Sequence, residues 1–299
     1  MSQKTTVFSS PEWMGRGPRV AILGPQESQA SKKERDALYE IVKSHAEIVV
    51  VDQHFDLDMS PCEFELVVVF GGDGSVLRSA RKMGANQKPV LGVNLGQLGF
   101  LAALPPDQLA TWFPKIVLGE CHIVHHLMLE CTVVRDGQAF AHCLGLNEAA
   151  ILGGPPYSML DIDLYVDDVW ATTYSCDGLI ISTPVGSTAH GLSAGGPILR
   201  KTILAFAISP ISPHTLTVRP VVDSANRVYE MVARQPNEST SLVVDGKTVC
   251  ALQHNDRVQV VRSSASFQLI EIAEQDDYKT LREKLGWHGS ISAKRTDPH

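Results

Sequence analysis

Six cysteines are spread over the 299 residues (Cys62, Cys121, Cys131, Cys143, Cys176 and Cys250), and no two of them form a Cys-x-x-Cys pair. The spacing argues against a paired-cysteine motif and reads as reduced, mostly buried thiols of a cytoplasmic protein. Long apolar runs are missing as well: the longest are strand-sized, so no segment is expected to span a bilayer. Positive charge is not in excess. The formal net charge is −7, which leaves no basic footprint for nucleic acid or for an anionic membrane surface. Neither the Gly-x-Gly-x-x-Gly dinucleotide fingerprint nor the Gly-x4-Gly-Lys-Ser/Thr phosphate loop occurs. Met1 to Pro18 is polar and broken by proline and glycine, has no hydrophobic region of the signal-peptide kind, and reads as a loose N-terminal tail. No internal repeat is visible.

What is present begins with alternation. Residues 19–23, 47–51, 66–70 and 88–94 are strand-like, and Ser31 to Ser44 has helical spacing with Leu38, Ile41 and Val42 on one apolar face. This predicts a parallel sheet with crossover helices, whose ligands sit beyond the carboxyl ends of the strands. A helix from Pro105 to Gly119 leads out of that unit. Beyond it strand-like stretches dominate: 123–134, 139–151, 159–166, 169–175, 179–182, 205–208, 215–222, 227–232, 241–244, 257–261 and 267–272, with Asp136-Gly137 and Asp167-Asp168 as turns. The expected fold is an α/β N-terminal Rossmann-like domain with a parallel sheet (residues 1–120), followed by a strand-rich, largely antiparallel C-terminal domain (121–275). A helix over 278–287 is expected to pack back on the first domain, with 288–299 as a flexible tail.

Three constellations carry chemistry. In Leu66-Val67-Val68-Val69-Phe70-Gly71-Gly72-Asp73-Gly74-Ser75 a buried strand runs into glycines around one carboxylate and then into a helix. Glycines let backbone N–H groups approach a ligand, and the helix N-terminus favours an anion. Two readings of Asp73 are open at this point. It is a turn or N-cap residue, for which Asp-Gly is common, or it accepts a proton from a hydroxyl that attacks a phosphoryl group. Arg78 and Arg81 on the following helix are available to solvent or to a phosphate. The second constellation is Asn147-Glu148 at a strand end: two acceptors and a donor suited to a ribose diol or an amide, or else an edge pair facing water, the reading to take if the pair stood alone. The third is the stretch from Asp177 to Pro197. There Ser182, Thr183, Ser187 and Thr188 place four hydroxyls around a Pro-Val-Gly turn, and a helix can begin over 188–193. These hydroxyls either cap their own backbone or serve a ligand, and the density of glycines favours a ligand surface. The run Cys121-His122-Ile123-Val124-His125-His126 invites a metal reading, but a strand sends alternate residues to opposite faces and no second Cys/His group completes a zinc set.

Taken together and in this order, Gly-Gly-Asp-Gly-Ser, Asn-Glu and Asp-Gly-Leu-Ile-Ile-Ser-Thr-Pro-Val-Gly-Ser-Thr-Ala-His-Gly-Leu-Ser-Ala-Gly-Gly-Pro resemble the NAD kinase family. Residues 91–101, 213–220 and 281–287 agree, so the resemblance covers roughly residues 19 to 287. Gly-Gly-Asp-Gly alone would be shared with lipid kinases and phosphofructokinase-like enzymes; the long third block separates them. The resemblance implies phosphoryl transfer from ATP, or from inorganic polyphosphate, to the 2′-hydroxyl of the adenosine ribose of NAD, giving NADP. It implies Asp73 as catalytic base, Gly72 and Gly74 as the phosphate-side loop and Arg78 near the phosphates. It further implies Asn147 and Glu148 on the nucleoside, Asp177 toward the nicotinamide side, and Thr188, Ala189, His190 and Ser193 at the adenine-contacting turn. Mg2+ or another divalent cation is implied with the ATP phosphates, without a protein cage, as is a homodimer or homotetramer.

Four positions depart from the family pattern. His190 stands where tyrosine is usual, Val185 where threonine or serine is, Gln97 where arginine is frequent, and Lys247 where glutamine or asparagine is. Two other readings compete with the kinase of NAD. A kinase of lipids or another alcohol would leave Asn147, Glu148 and the hydroxyl-rich turn without a role. A non-catalytic NAD-binding regulator would not need Asp73.

Overall fold

A computed structural model describes residues 13, 17–25, 30–57, 59, 62–96, 99–215, 217–272 and 277–286. Gln97, Trp287, the expected tail over 288–299 and most of the expected N-terminal tail lie outside the described residues.

The first part alternates as expected: β1 (Arg19–Leu23), α1 (Lys32–Lys43), β2 (Glu47–Asp52), β3 (Leu66–Phe70), α2 (Asp73–Met83), β4 (Val90–Val93) and α3 (Leu109–Val117). Ser31 and Glu34 form a reciprocal capping box that starts α1. The four strands pair in parallel in the order β2-β1-β3-β4. Both faces of this sheet are covered, which is why β3 reads as a continuous apolar run. Leu66, Val68 and Phe70 face Leu38 and Val42 of α1 and Phe113 of α3, while Val67 and Val69 share a second cluster with Val76 and Ala80 of α2.

The second part contains β5 (His122–Arg135), β6 (Gln138–Gly145), β7 (Glu148–Leu152), β8 (Leu160–Val166), β9 (Val169–Cys176), β10 (Gly178–Ser182), the single-turn helix α4 (His190–Ser193), β11 (Ala205–Ile211), β12 (Val221–Ser224), β13 (Tyr229–Ala233), β14 (Ser241–Val244), β15 (Lys247–Ala251) and β16 (Arg257–Glu271). The chain then forms α5 (Asp277–Leu285). A six-stranded antiparallel sheet runs β12-β11-β10-β7-β14-β15. The remaining strands join the first sheet: its order is β2-β1-β3-β4-β16-β13-β8-β9, with β5 paired to β16 and β6 to β5. One mixed ten-stranded sheet therefore crosses the expected boundary at residue 120, because Leu269 of β16 pairs in parallel with Val90 of β4. The two sheets pack face to face over a core that includes Leu129, Ile162, Met231 and Val258 on one side and Ile151, Leu179, Phe206 and Leu242 on the other.

Three strand expectations need correction. The stretch 139–151 is two strands in different sheets, β6 and β7, broken at Leu146-Asn147. The strand expected over 215–222 forms only at its end as β12, since Pro213 and Pro220 supply no amide to a ladder. The stretches 257–261 and 267–272 are one strand, β16, carried through a bulge between Arg262 and Ser266. β15 escaped the sequence pattern.

The six cysteines are all free thiols. No helix among the described residues is long and apolar enough to cross a membrane.

Candidate active site

Asp73 opens α2 without capping it. Gly72 occupies the cap position and makes no side-chain cap bond. The Asp73 carboxylate turns instead to the loop after β4, where Oδ1 accepts from the amides of Leu101 (2.9 Å) and Ala102 (3.0 Å) and Oδ2 from the amide of Phe100 (2.8 Å). The N-cap reading of Asp73 is thereby overturned. Gly99 makes the approach possible, since a Cβ there would stand 2.1 Å from Oδ1. A carboxylate offers about four acceptor positions. Oδ1 has both of its positions taken; Oδ2 keeps one. Lys284 of α5 stands 3.6 Å from that oxygen and 4.5 Å from the centre of the Phe100 ring, so α5 does reach the first part of the chain. In front of Asp73 the corner is open: a Cβ added to Gly72 or Gly74 would meet nothing within 4 Å. Arg78 is exposed on α2, its guanidinium 5.4 Å from the Phe55 ring centre.

The Asn147-Glu148 link is held by a residue that sequence reasoning missed. Asp245 lies at the tip of the β14–β15 hairpin, and its buried carboxylate accepts from the amides of Leu146 (2.9 Å), Asn147 (2.7 Å) and Glu148 (3.2 Å). Three successive amides turned toward one side chain cannot also pair across a ladder, which is why the chain leaves one sheet there and enters the other. Arg81 Nη2 donates to the carbonyls of Val244 (3.3 Å) and Asp245 (3.4 Å), tying α2 to the same hairpin. The available signal was Asp245-Gly246 between two β-branched runs, a hairpin turn of the kind that takes positive φ; Asp245 has φ 48° and Gly246 φ 69°.

Glu148 and Asp245 share this corner. Burial, and then the Asp245 carboxylate, push the Glu148 carboxyl up to about 8, against a smaller opposing effect of the Gly246 amide. Its Oε2 is buried without a hydrogen-bond partner. Burial also pushes Asp245 up, while the three amides pull it back.

At the third constellation all four hydroxyls donate to backbone carbonyls. Thr183 Oγ1 donates to the Leu146 carbonyl (2.6 Å), Ser187 Oγ to Pro184 (2.6 Å), Thr188 Oγ1 to Val185 (3.0 Å) and Ser182 Oγ to Ala207 (3.4 Å). Hydroxyls in a tight strand–turn joint satisfy backbone carbonyls that no ladder reaches. The expected helix over 188–193 is a 3-10 turn at Gly186–Thr188 followed by the single turn of α4. Ala189 links the two, His190 is half-buried and Ser193 is exposed. Burial lowers the His190 imidazole from its ordinary value. Val185, one of the departures, is buried beside Val76, and Lys247 is exposed at the start of β15.

The three constellations converge through packing. Val76 of α2, Leu101, Ala102, Leu146 and Val185 belong to one buried cluster. The Asn147 carbonyl accepts from the Thr183 amide (2.8 Å), and a Cβ on Gly186 would stand 2.1 Å from that oxygen. Asp177 does not join them. It precedes β10 at the end where Gly178 faces Leu152, whereas Ser182 at the other end faces Glu148. At ~3.3 Å per residue that separation is roughly 17 Å along the strand. Its exposed carboxylate lies 3.7 Å from His214 Nε2. In the histidine run, His126 is fully buried against Phe267 while His125 Nδ1 bonds Ser266, on the alternation of β5. No group of three or more metal-ligating side chains occurs among the described residues.

An open glycine corner, an anchored carboxylate at the rim of a parallel sheet and an abutting antiparallel sheet define a two-part kinase fold. The same fold is found in yeast NADH kinase complexed with NADH (TM-score 0.82, 21% identity, 95% of this chain and 91% of that one). It is found also in an NAD kinase from Archaeoglobus fulgidus in complex with ATP (TM-score 0.71, 25% identity, 90% and 97%). Residues 20–121 match the ATP-NAD kinase N-terminal domain and residues 146–272 the ATP-NAD kinase C-terminal domain. An NAD kinase of Rhodopirellula baltica is 53% identical over 94% of this chain and 90% of its own length, and one of Trichlorobacter lovleyi is 40% identical over 75% and 79%. The chain belongs to the ATP-NAD kinase family and is a kinase.

Proposed function

We infer that the chain transfers the terminal phosphoryl group of ATP, or of polyphosphate, to the 2′-hydroxyl of the adenosine ribose of NAD, producing NADP. The observation that carries this reading is the single remaining acceptor position on Asp73 Oδ2, on a part-exposed carboxylate flanked by two glycines with open space around them. A sugar hydroxyl donating there would be oriented by Asp73 toward a phosphoryl group, and the loose transition state lets its proton move late to Oδ2. The O–H bond breaks toward Asp73, the ribose O–P bond forms, and ADP leaves with the electron pair of the old bond. Asn147 and Glu148 hold the nucleoside. Glu148, protonated at neutral pH, offers an O–H to a ribose or base oxygen. Thr188, Ala189, His190 and Ser193 take the adenine side, with His190 as the ring that stacks. Gly72, Gly74 and Arg78 serve the phosphates.

Magnesium fits this site as an ion carried by the nucleotide. The one open position on Asp73 goes to the ribose hydroxyl, and no group of three or more metal-ligating side chains occurs among the described residues, so phosphate and water would supply the ligands of the ion. When bound, the ion neutralises charge on the phosphoryl oxygens. Asp177, remote within one chain, takes part in this reading only at the far end of an extended dinucleotide or from a second copy. A homo-oligomer is supported by exposed Val221 and Val222 on β12, at one edge of the antiparallel sheet. The free thiols support a cytoplasmic setting.

The test is Asp73→Asn with Mg-ATP and NAD, read by an NADP-dependent dehydrogenase. The expected outcome is a loss of about 10²- to 10⁴-fold in kcat with NAD binding retained. Equal loss of binding and rate would make Asp73 an anchor of the 100–102 loop only.

A further inference from the structure

Lys284 occupies a place that a surface lysine does not need. It sits near the end of α5, where residues 282–286 are exposed, Lys284 among them, yet its side chain is 28% exposed, close to the 30% of the Asp73 side chain opposite. Lysines are among the side chains least often drawn inward without a partner. The ammonium faces Asp73 Oδ2 and the Phe100 ring, and Phe100 is the residue whose amide bonds the same oxygen. Three separate segments, the start of α2, the 99–102 loop and α5, thus meet at one carboxylate oxygen.

That oxygen is the one the ribose hydroxyl requires, so the resting contact with Lys284 and the reactive contact with substrate compete for one position. An ammonium carries three donors. Oδ2 and the Phe100 ring occupy two directions, and the open corner above Gly72 and Gly74 lies where phosphates would enter. Of the cations of α2, Arg81 donates to the carbonyls of Val244 and Asp245 and Lys82 to that of Leu57, which leaves Arg78, exposed over Phe55, as the one this helix offers to phosphates. A transferring phosphoryl group spreads negative charge over its equatorial oxygens and is stabilised by positioned positive charge.

Resting on the kinase reading above, we propose that Lys284 is a catalytic residue that holds Asp73 in the resting enzyme and moves to the transferring phosphoryl group when ATP and NAD are bound. The exchange gives Oδ2 to the ribose hydroxyl at the moment when a positive charge reaches the phosphate. It makes the last helix of the chain, more than half the sequence away from the glycine corner, part of the active site. The same ammonium accepts the phosphoryl end of ATP or of polyphosphate, since both present that group and Lys284 touches nothing that would read adenine.

The experiment uses the full chain with Lys284→Met, Lys284→Gln as a second neutral variant in case Met repacks on Phe100, and Lys284→Arg as rescue. Steady-state rates are measured with Mg-ATP and with Mg-polyphosphate against NAD, together with NAD and ATP binding by calorimetry and thermal melting. The neutral variants are expected to lose about 10²-fold in kcat, with a raised KM for either donor, while NAD affinity and melting temperature hold. Arginine is expected to restore most of the rate. Neutral variants with kcat and donor KM within threefold of wild type overturn the proposal, as does a loss of rate matched by equal losses in NAD binding and melting temperature, which would make Lys284 a structural anchor of α5. A wild-type protein that does not phosphorylate NAD overturns the kinase reading instead. In that event unchanged ATP affinity in the neutral variants would overturn the role of Lys284 as well, and weakened affinity would support it.

Discussion

Glu148 and Asp245 are two carboxyl groups facing one another in a single buried corner, and the corner keeps a proton on the first while three amides hold the second. Burial and the nearby Asp245 carboxyl thereby push the Glu148 carboxyl up beside this backbone turn. Arg81 joins this turn to the helix that starts with Asp73, so the two halves of the site are fixed relative to each other through a handful of polar contacts.

A pH dependence of stability follows from the raised Glu148 value. Folded, this carboxyl titrates near 8; unfolded, near its ordinary 4.5. Between those values the unfolded chain has released a proton that the folded chain keeps, so stability falls as pH rises. The contribution is fully present below about 4.5 and is gone once pH has passed about 8, on the order of a few kcal/mol. Urea midpoints taken from pH 5 to pH 8.5 should decline in the wild type and run flatter in Glu148→Gln. Parallel slopes would remove Glu148 from the account.

Gly99→Ala tests the anchoring of Asp73. The new Cβ would lie 2.1 Å from Oδ1 and 2.8 Å from the Ala102 carbonyl oxygen, so either the carboxylate or the loop must move. An ångström of misplacement at a reacting group can cost about 10²-fold in rate. We expect a loss of that order in kcat with the circular dichroism spectrum unchanged. Wild-type turnover in a folded Gly99→Ala protein would show that the position of Asp73 is not critical.

His190 gives a second pH effect, of opposite hand. Burial lowers its imidazole, so the ring stays neutral until pH falls below the usual 6.5. A charged ring stacks and hydrogen-bonds differently beside a nucleoside. The KM for NAD is expected to rise on the acid side of that value, and His190→Tyr to abolish the rise. Superimposable KM profiles for the two proteins would count against a role for His190.

The elements that local pattern decides were readable in advance. The continuous Leu66–Phe70 run meant a strand covered on both faces, and the spacing of Leu38, Ile41 and Val42 meant a helix. The three motif blocks were visible because glycines, a carboxylate and a dense turn in fixed order are strong local signals. Other expectations failed where a distant residue outweighed the local pattern. Residues 139–151 alternate well enough for one strand, yet Asp245, almost a hundred positions later, takes the amides that would have continued it. Between Ser182 and Thr188 the pattern left two roles open for the hydroxyls, and the fold shows all four donating to backbone carbonyls.

The amino-acid order by itself determined which residues could do the chemistry, since side-chain type, glycine placement and hydrophobic period are properties of neighbours along the chain. Tertiary structure alone decided which of them share a site. It brought Lys284 and Gly99 to Asp73, Arg81 and Asp245 to Asn147 and Glu148, and it set Asp177 at the far end of its strand. The physical reason is that these choices are made by long-range pairing and by the need of buried amides and carboxylates for partners, and no local window contains both members of such a pair.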